Sequence, residues 1–539
     1  MRVALLTEGG YPYAQGESVA WCDRLLHGLP EHDFEVLALS RGRQQELGPR
    51  RPLPANVRGV HTAPLWGPPQ GIAAWPGTPR AWARVARAPA RRFAECFAEL
   101  VAALCPGYQP LGEAQPARQA DRFAEGLYGL ADLAARHGGL STWLYSEHAV
   151  RALEAACRAP GAPRAVHGAR VADLLAVAER LERALRPLSL GWYEAEGPGA
   201  GELCHAVGAG PAALAGLIAR HRYGTPLLIT EYGVRLREHY LASAAAHAVP
   251  RSAAGAPVRA LLAAFQVRLA REAYRRAALI TPGDTTARRW QERCGAEPAR
   301  LRTVYPGLDA RPFRAAAEAG SARGSAPPAL VWVGRAGPGK GLAGLLHAFH
   351  AVRAAEPAAR LRIVGTPARG RPDAGYLARC RALAARLFPG PAGPVTFTEV
   401  GGADVPTLAD AYAAGGVVVF PGADSGFPLP LIEAMFCARA TVAADAGAVA
   451  EVVGGTGLVV PPGDRRALAD ACLALLRDPA RRARLGAAAR ARALDLFTVE
   501  RNVAAFDAIY RELGRTARSA AAGLAREPIP AAGRPGERV

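Results

Sequence analysis

Lysine is almost missing from this sequence. Of its 66 lysine and arginine residues only Lys340 is lysine, and methionine occurs only at positions 1 and 435. No stretch reaches the roughly 18 to 20 consecutive apolar residues that a membrane helix needs, so no transmembrane segment is expected. The opening run from Met1 to Gly9 is short and broken by Glu8, which reads as a buried first strand and not as an export signal. C-x-x-C pairs are absent too. The nine cysteines, at positions 22, 96, 105, 157, 204, 294, 380, 437 and 472, are scattered and odd in number. That pattern argues against a disulfide framework or a zinc site and fits small core residues in a reducing compartment. The expectation is a cytoplasmic chain, peripheral at most at the inner face of a membrane.

Positive charge and small residues are what the chain has in plenty. A net charge of +19 would concentrate polyanions. The arginines, however, are spread along the chain beside alanine, glycine and proline, with no basic patch interleaved with aromatics. Solvated faces account for them, and nucleic acid is not an expected partner; steeply salt-sensitive binding to DNA or RNA would mark the opposite case. Against that bias the surviving lysine is informative, because a compact ammonium on a flexible stem does what a planar guanidinium cannot.

At 539 residues, half of them apolar, the chain is too long for one core and suits two domains. Residues 1–310 open with a strand (3–7), a Gly/Pro loop (9–16), a helix (19–28) and a second strand (34–39). This βαβ beginning implies a parallel sheet with ligands near the carboxyl ends of its strands. From about 75 to 190 the text has helical spacing, with Leu174, Leu175, Val177, Leu181 and Leu185 assigned to one face, and reads as an insertion. Strands return at 203–207, 227–230, 279–281 and 302–305, before a linker rich in Ala, Gly, Ser and Pro over 315–328. Within 326–495, apolar runs at 330–333, 361–364, 395–398, 417–420, 441–443 and 457–460 alternate with helical stretches. That rhythm predicts a second parallel sheet. A helix over 496–515 crossing back to the first domain and a disordered tail over 520–539 complete the reading. The fold class is α/β: two doubly wound Rossmann-like domains facing a cleft, with a helical insertion in the first.

Residues 330–341, LVWVGRAGPGKG, run from a strand through a glycine-rich turn into a helix. The glycines let backbone N–H groups approach an anion, the helix N-terminus favours negative charge, and Arg335 with Lys340 adds two cations. The segment nearly spells a P-loop, but Gly341 stands where that motif needs a hydroxyl for magnesium. A P-loop NTPase, which predicts magnesium-dependent ATP binding, is the weaker reading.

The same segment resembles the V-G-R-x-x-P-x-K-G of the retaining GT-B glycosyltransferases of family four, matched by Val333, Gly334, Arg335, Pro338, Lys340 and Gly341. The resemblance implies that Arg335 and Lys340 are the catalytic pair, gripping the diphosphate of a nucleotide sugar and stabilising the charge that grows on it. Residues 424–435, DSGFPLPLIEAM, resemble that family's E-G-F-P-x-x-x-x-E-A-M. This implies nucleotide-sugar contacts from Ser425, Gly426, Phe427 and Pro428, and a ribose ligand in Glu433. Asp445, Gly447 and Glu451 resemble the D-x-G-x-x-x-E that follows, and residues 497–501 the start of the last helix. The first half is similar to a narrower subgroup, the PelF-like enzymes of Pel exopolysaccharide synthesis, at residues 6–13, 29–36, Leu65-Trp66, 204–206 and 230–233.

Three positions depart from the family. The glycine pair after the first strand, which in the family approaches the phosphates or acceptor, is Gly16-Glu17, so the resemblance implies nucleotide-sugar contacts there, although a carboxylate repels a diphosphate unless it turns away. The histidine of T-E-H-G is Tyr232, and the first glutamate of the downstream pair is Ser425, with Asp424 one residue off. His205, Glu231, Tyr232 and Asp424 are candidate sugar or acceptor contacts, His205 and Glu231 being equally readable as structural groups. The implied reaction moves a hexose from a nucleotide-diphosphate sugar, by analogy UDP-hexose, to a polysaccharide or other glycan with retention. No metal or cofactor is needed, since fixed charges do that work. A membrane-associated polysaccharide synthesis and export complex is the implied partner. The departures raise one alternative: a degenerate homologue that binds nucleotide sugar or a partner without turnover.

Overall fold

The computed structural model describes residues 1–14, 16–47, 52–66, 87–105, 114–193, 197, 201–234, 255–322, 329–366, 371–390, 393–423 and 426–524. They pack as two compact units. The first comprises Met1–Thr281, Trp290–Arg302 and the chain from Ala505 on; the second comprises Pro282–Arg289 and Thr303–Ala504.

In the first unit β1 (Arg2–Glu8) leads through α1 (Glu17–Gly28) to β2 (Asp33–Ser40) and β3 (Val57–Pro64). The helices α2 (Arg87–Leu104), α3 (Ala114–His137), α4 (Glu147–Arg158) and α5 (Val171–Leu185) form the insertion. Then come β4 (Leu203–Val207), α6 (Pro211–Tyr223), β5 (Leu227–Glu231), α7 (Ala256–Arg276) and β6 (Leu279–Pro282). Val3 to Thr7 are all buried, as a strand covered on both faces must be, so its sequence is a continuous apolar run. The helix α8 (Thr285–Arg293) follows, its first residues in the second unit and its last in the first.

The second unit holds α9 (Arg314–Ala322), β7 (Ala329–Gly334), α10 (Leu342–Ala355), β8 (Arg360–Gly365), α11 (Arg371–Leu387) and β9 (Val395–Glu399). It continues with α12 (Leu408–Ala413), β10 (Val417–Phe420), α13 (Leu429–Phe436), β11 (Ala440–Ala444), α14 (Val449–Val453) and β12 (Leu458–Val460). Three helices close the chain: α15 (Arg465–Arg477), α16 (Pro479–Leu496) and α17 (Val499–Leu524). Alternation along β7 builds two cores. Val331 and Val333 join the α13 side, whereas Leu330 and Trp332 join the α10 and α15 side, the period of two that a strand imposes.

The sheet orders are β3-β2-β1-β4-β5-β6 and β12-β11-β10-β7-β8-β9. Read from the other edge, the second is the first again. Each sheet therefore reverses direction at one place, between β1 and β4 or between β7 and β10. In open α/β sheets the crevice at that reversal, beyond the carboxyl ends of the strands, is where ligands bind.

Several expectations need correction. Residues 302–305 form no strand: one bridge pairs Ile280 with Leu301, and beyond it only single bonds reach β6, from the Arg302 N–H to the Ile280 carbonyl (3.0 Å) and from the Val304 N–H to the Pro282 carbonyl (2.9 Å). The linker over 315–328 is helical to Ala322, because Ala316 and Ala317 pack into the core of the second unit behind Phe313. Residues 303–310, assigned to the first domain, pack with the second, where the Leu308 N–H donates to the Phe497 carbonyl at 2.9 Å. Leu175 is 52% exposed while Leu174, Val177, Leu181 and Leu185 are buried, since it lies one residue off their stripe. The closing helix runs to Leu524, so 520–524 are helical, and 525–539 lie outside the described residues.

Candidate functional site

At the second reversal point two loops interlock. After β7 the chain passes exposed Arg335 and buried Ala336, makes one tight turn over Pro338–Lys340, and starts α10. Gly341 ends the turn in the left-handed region at φ 69°, which glycine adopts without strain. A Cβ there would lie 2.4 Å from the Pro421 carbonyl oxygen, on the loop after β10. From the other side a Cβ on Gly422 would lie 2.8 Å from the Gly339 carbonyl oxygen, and the Ala423 N–H donates to that oxygen at 3.2 Å. Missing side chains thus let residues 339–341 and 421–423 touch through backbone. Arg335 and Lys340 are both exposed on this loop. Alongside it lies a cavity of about 160 Å³ bounded by Gly341, Pro421, Ala444, Val460 and Asp464.

The loop after β10 continues toward Glu433. Gly426 is exposed, and Phe427 packs its ring against Tyr305 and Phe497. Pro428 precedes the first turn of α13. Asp424 and Ser425, the positions that replace the family's glutamate, lie outside the described residues. Glu433 is half-buried and accepts a 2.6 Å hydrogen bond from the hydroxyl of fully buried Tyr412. Burial and the adjacent carboxylate hold that phenol well above its ordinary range, so it stays a donor and orients the Glu433 side chain. Glu451 is bound to protein groups: it accepts from the Thr285 N–H (2.8 Å), the Thr285 hydroxyl (2.6 Å) and the Tyr305 hydroxyl (2.8 Å). Its role in this geometry is to clamp these segments together within the second unit.

In the first unit, Gly16 and Glu17 open α1, and Glu17 pairs with Arg24 at 2.6 Å. Its charge is therefore balanced locally. His205 is fully buried in β4, with Nδ1 at 2.7 Å from the Tyr510 hydroxyl and Nε2 at 2.7 Å from the Thr230 hydroxyl. Burial lowers its pKa to about 3. A ligand contact would require it to give up one of these bonds. Tyr232 sets its ring edge against Trp21. Glu231 is buried at the end of β5, accepting from the Tyr274 hydroxyl and, at 3.3 Å, from the Gln291 amide.

Sequence reasoning passed over a pocket in this unit. A cavity of about 330 Å³ lies at the carboxyl ends of β1 and β5, between α5 and α7, with Glu8, Trp66, Arg180, Arg183, Glu231 and Phe265 among its walls. The Leu65-Trp66 pair and the candidate Glu231 were its visible signs. The residues on α5 that matter lie at helical spacing on a face that reads as ordinary surface.

Among the described residues no three His, Cys, Asp or Glu side chains form a group able to hold a metal, and no helix is long and apolar enough to cross a membrane. All nine cysteines are buried and none is in a disulfide.

Comparison with known proteins fits this architecture. Residues 1–299, more than half of the chain, match the family described as Domain of unknown function (DUF3492), and residues 327–478 match Glycosyl transferases group 1. A D-inositol 3-phosphate glycosyltransferase of Saccharomonospora viridis is 32% identical over 305 residues, covering 55% of this chain and 67% of that protein. Another, of Streptomyces bingchenggensis, is 34% identical over 231 residues, covering 41% of this chain and 50% of that protein. The chain thus spans about half the length of several such curated relatives. Among solved structures, Anabaena HepE in complex with UDP superposes with a TM-score of 0.55 at 14% identity, over 95% of this chain and 100% of that one. That protein has also been solved with UDP-glucose. The fold is GT-B, and the chain belongs to the group 1 glycosyltransferases, with a first half of the DUF3492 family.

Proposed function

We propose that this protein transfers a hexose from UDP-hexose to a glycan acceptor with retention at the anomeric carbon. The observation that carries the reading is the interlock of residues 339–341 with 421–423, which fixes two cations and a helix N-terminus at the reversal point of the second sheet. A diphosphate there meets the positive end of α10, Arg335 and Lys340, while Glu433, held by Tyr412, faces the ribose hydroxyls as an acceptor. The relative solved with UDP and with UDP-glucose supports the choice of nucleotide and sugar.

In the reaction the bond between the anomeric carbon and the donor's β-phosphate oxygen breaks. The acceptor hydroxyl oxygen bonds to that carbon, and the hydroxyl proton leaves with the diphosphate. Charge builds on the leaving oxygens, where preorganised cations and backbone amides stabilise it, so no metal is called for. The PelF-like features of the first half favour a polysaccharide acceptor and a membrane-associated synthesis and export complex as partner.

The test is release of UDP from UDP-glucose and other UDP-hexoses, run beside calorimetric titration with UDP. Saturable binding with acceptor-stimulated release supports the proposal. Binding without release over any glycan acceptor identifies a homologue that binds without turnover, and absence of binding removes the donor assignment.

A further inference from the structure

The pocket of the first unit has walls of three kinds. Its floor carries carboxylates at strand ends, Glu8 closing β1 and buried Glu231 closing β5. One side is the stripe Leu262, Phe265, Gln266 and Leu269 on α7, spaced at the 3.6 period. The other is α5, whose Arg180 and Arg183, three residues apart, share one face. At its rim Trp66 is 58% exposed, and the Arg183 guanidinium lies 4.5 Å from its ring centroid. An exposed indole held by a stacked arginine is a platform already set in place. Its volume of about 330 Å³ falls within the roughly 300–1,000 Å³ of small-molecule sites.

Sugars are the ligands this mixture fits. A pyranose offers apolar C–H faces to aromatic rings such as Trp66 and Phe265, while its hydroxyls donate to carboxylates and accept from Gln266 or arginine. The distribution of charge narrows the class further. Arg183 is paired with Glu179, but Arg180, exposed on the same face, forms no ion pair or hydrogen bond among the described residues. The N-terminus of α6 at Gly210 and Pro211 also borders the pocket, and such an end carries partial positive charge. Sugar hydroxyls belong at the acidic floor and an anionic substituent at the arginine rim.

We infer that this pocket binds an acidic sugar, one bearing a carboxylate or a phosphate, with Arg180 reading the charge and Trp66 stacking on the ring. The inference rests on the glycosyl-transfer reading for its purpose, since such a sugar would serve as the acceptor. It adds that specificity resides in the inserted helix α5.

The full chain is titrated with D-glucuronate, D-glucose 6-phosphate and D-glucose, following tryptophan fluorescence and calorimetric heat, with UDP titrated separately. At least one anionic sugar binds ten-fold or more tightly than glucose. Preference for glucuronate assigns a carboxylate and preference for glucose 6-phosphate a phosphate; either supports the inference. Arg180→Ala abolishes the preference, Arg180→Lys keeps most of it, and Trp66→Ala weakens all sugars, each leaving UDP affinity unchanged. Equal binding of glucose and both anions, an Arg180→Ala variant indistinguishable from the parent, or no sugar binding by a chain that binds UDP would overturn the inference. Acidic-sugar binding by a chain that ignores UDP would leave the pocket standing and remove the donor reading instead.

Discussion

The Cβ that Gly341 lacks would lie 2.4 Å from the carbonyl oxygen of Pro421. Neither atom belongs to a flexible side chain, so any other residue at 341 must push two backbone loops apart. The left-handed φ of 69° adds a second cost, roughly 1–2 kcal/mol. Gly341→Ala is therefore expected to lower stability by at least that amount and to weaken UDP binding together with it. Urea unfolding read beside UDP titration checks both, and an unchanged urea midpoint would refute the interlock.

Lys340→Ala and Arg335→Ala should behave differently from Gly341→Ala. Both side chains are exposed, and surface changes of this kind usually move stability by no more than about 0.5 kcal/mol. A charge-assisted hydrogen bond to phosphate contributes roughly 1.5–3 kcal/mol, so each variant should lose about ten- to a hundred-fold in UDP affinity while unfolding normally. Lys340→Arg should recover part of the affinity, the shortfall measuring what a planar group cannot reach. Calorimetry at two salt concentrations reads these outcomes.

Tyr412 and Glu433 separate positioning from contact. Tyr412→Phe removes the hydroxyl that orients Glu433 and a buried bond to a carboxylate, at roughly 1.5–3 kcal/mol of stability. Glu433→Gln keeps an acceptor for Tyr412 and should leave stability within about 1 kcal/mol, yet lower affinity for UDP about ten-fold. Equal losses of stability in the two variants would mean that Glu433 serves the fold alone.

His205 makes the first unit acid-sensitive. Its folded pKa of about 3 lies below the ordinary 6.5, so an unfolded chain takes up a proton that the folded chain refuses. This contribution is complete above pH 6.5 and declines as pH falls toward 3. Between pH 7 and pH 5 the loss is roughly 2 kcal/mol. His205→Asn should be less stable at pH 7 but show a flatter pH dependence, measured by urea unfolding at both values. Parallel profiles for the two proteins would contradict the burial argument.

Most strands were legible because a parallel strand with both faces covered is an apolar run bounded by glycine or proline, as at Leu330 to Gly334. The exception is β3, where Arg58, Gly59 and His61 interrupt the run and only its end is buried; an edge strand has no need to be apolar throughout. Residues 302–305 erred the other way. They look like a strand, and Arg302 and Val304 do donate to the Ile280 and Pro282 carbonyls, but only one bridge forms, at Leu301. In 315–328 the alanines were read as part of a linker, whereas alanine is also the best helix former, and Phe313 beside them anchors the helix.

For the site, the glycines and the lone lysine were visible as a motif, but their reason was not. That Gly341 faces Pro421 and Gly422 faces Gly339 depends on two segments about 80 residues apart meeting across β7 and β10. Arg180 was hidden for the same cause: it is an ordinary surface residue until the insertion folds over the ends of β1 and β5.

The last helix bears on how the molecule comes into being. Phe506 and Tyr510 are fully buried in the first unit, Tyr510 beside His205, and Asp507 meets His32 at 2.9 Å. Tyr510 follows its partner His205 by 305 residues, and Asp507 follows His32 by 475. The opening sheet must wait, unfinished, for roughly half a minute or more at synthesis rates of about 5–20 residues per second. A fragment ending at residue 299 would inherit the same vacancy permanently, and supplying the terminal helix as a separate peptide is the natural way to fill it.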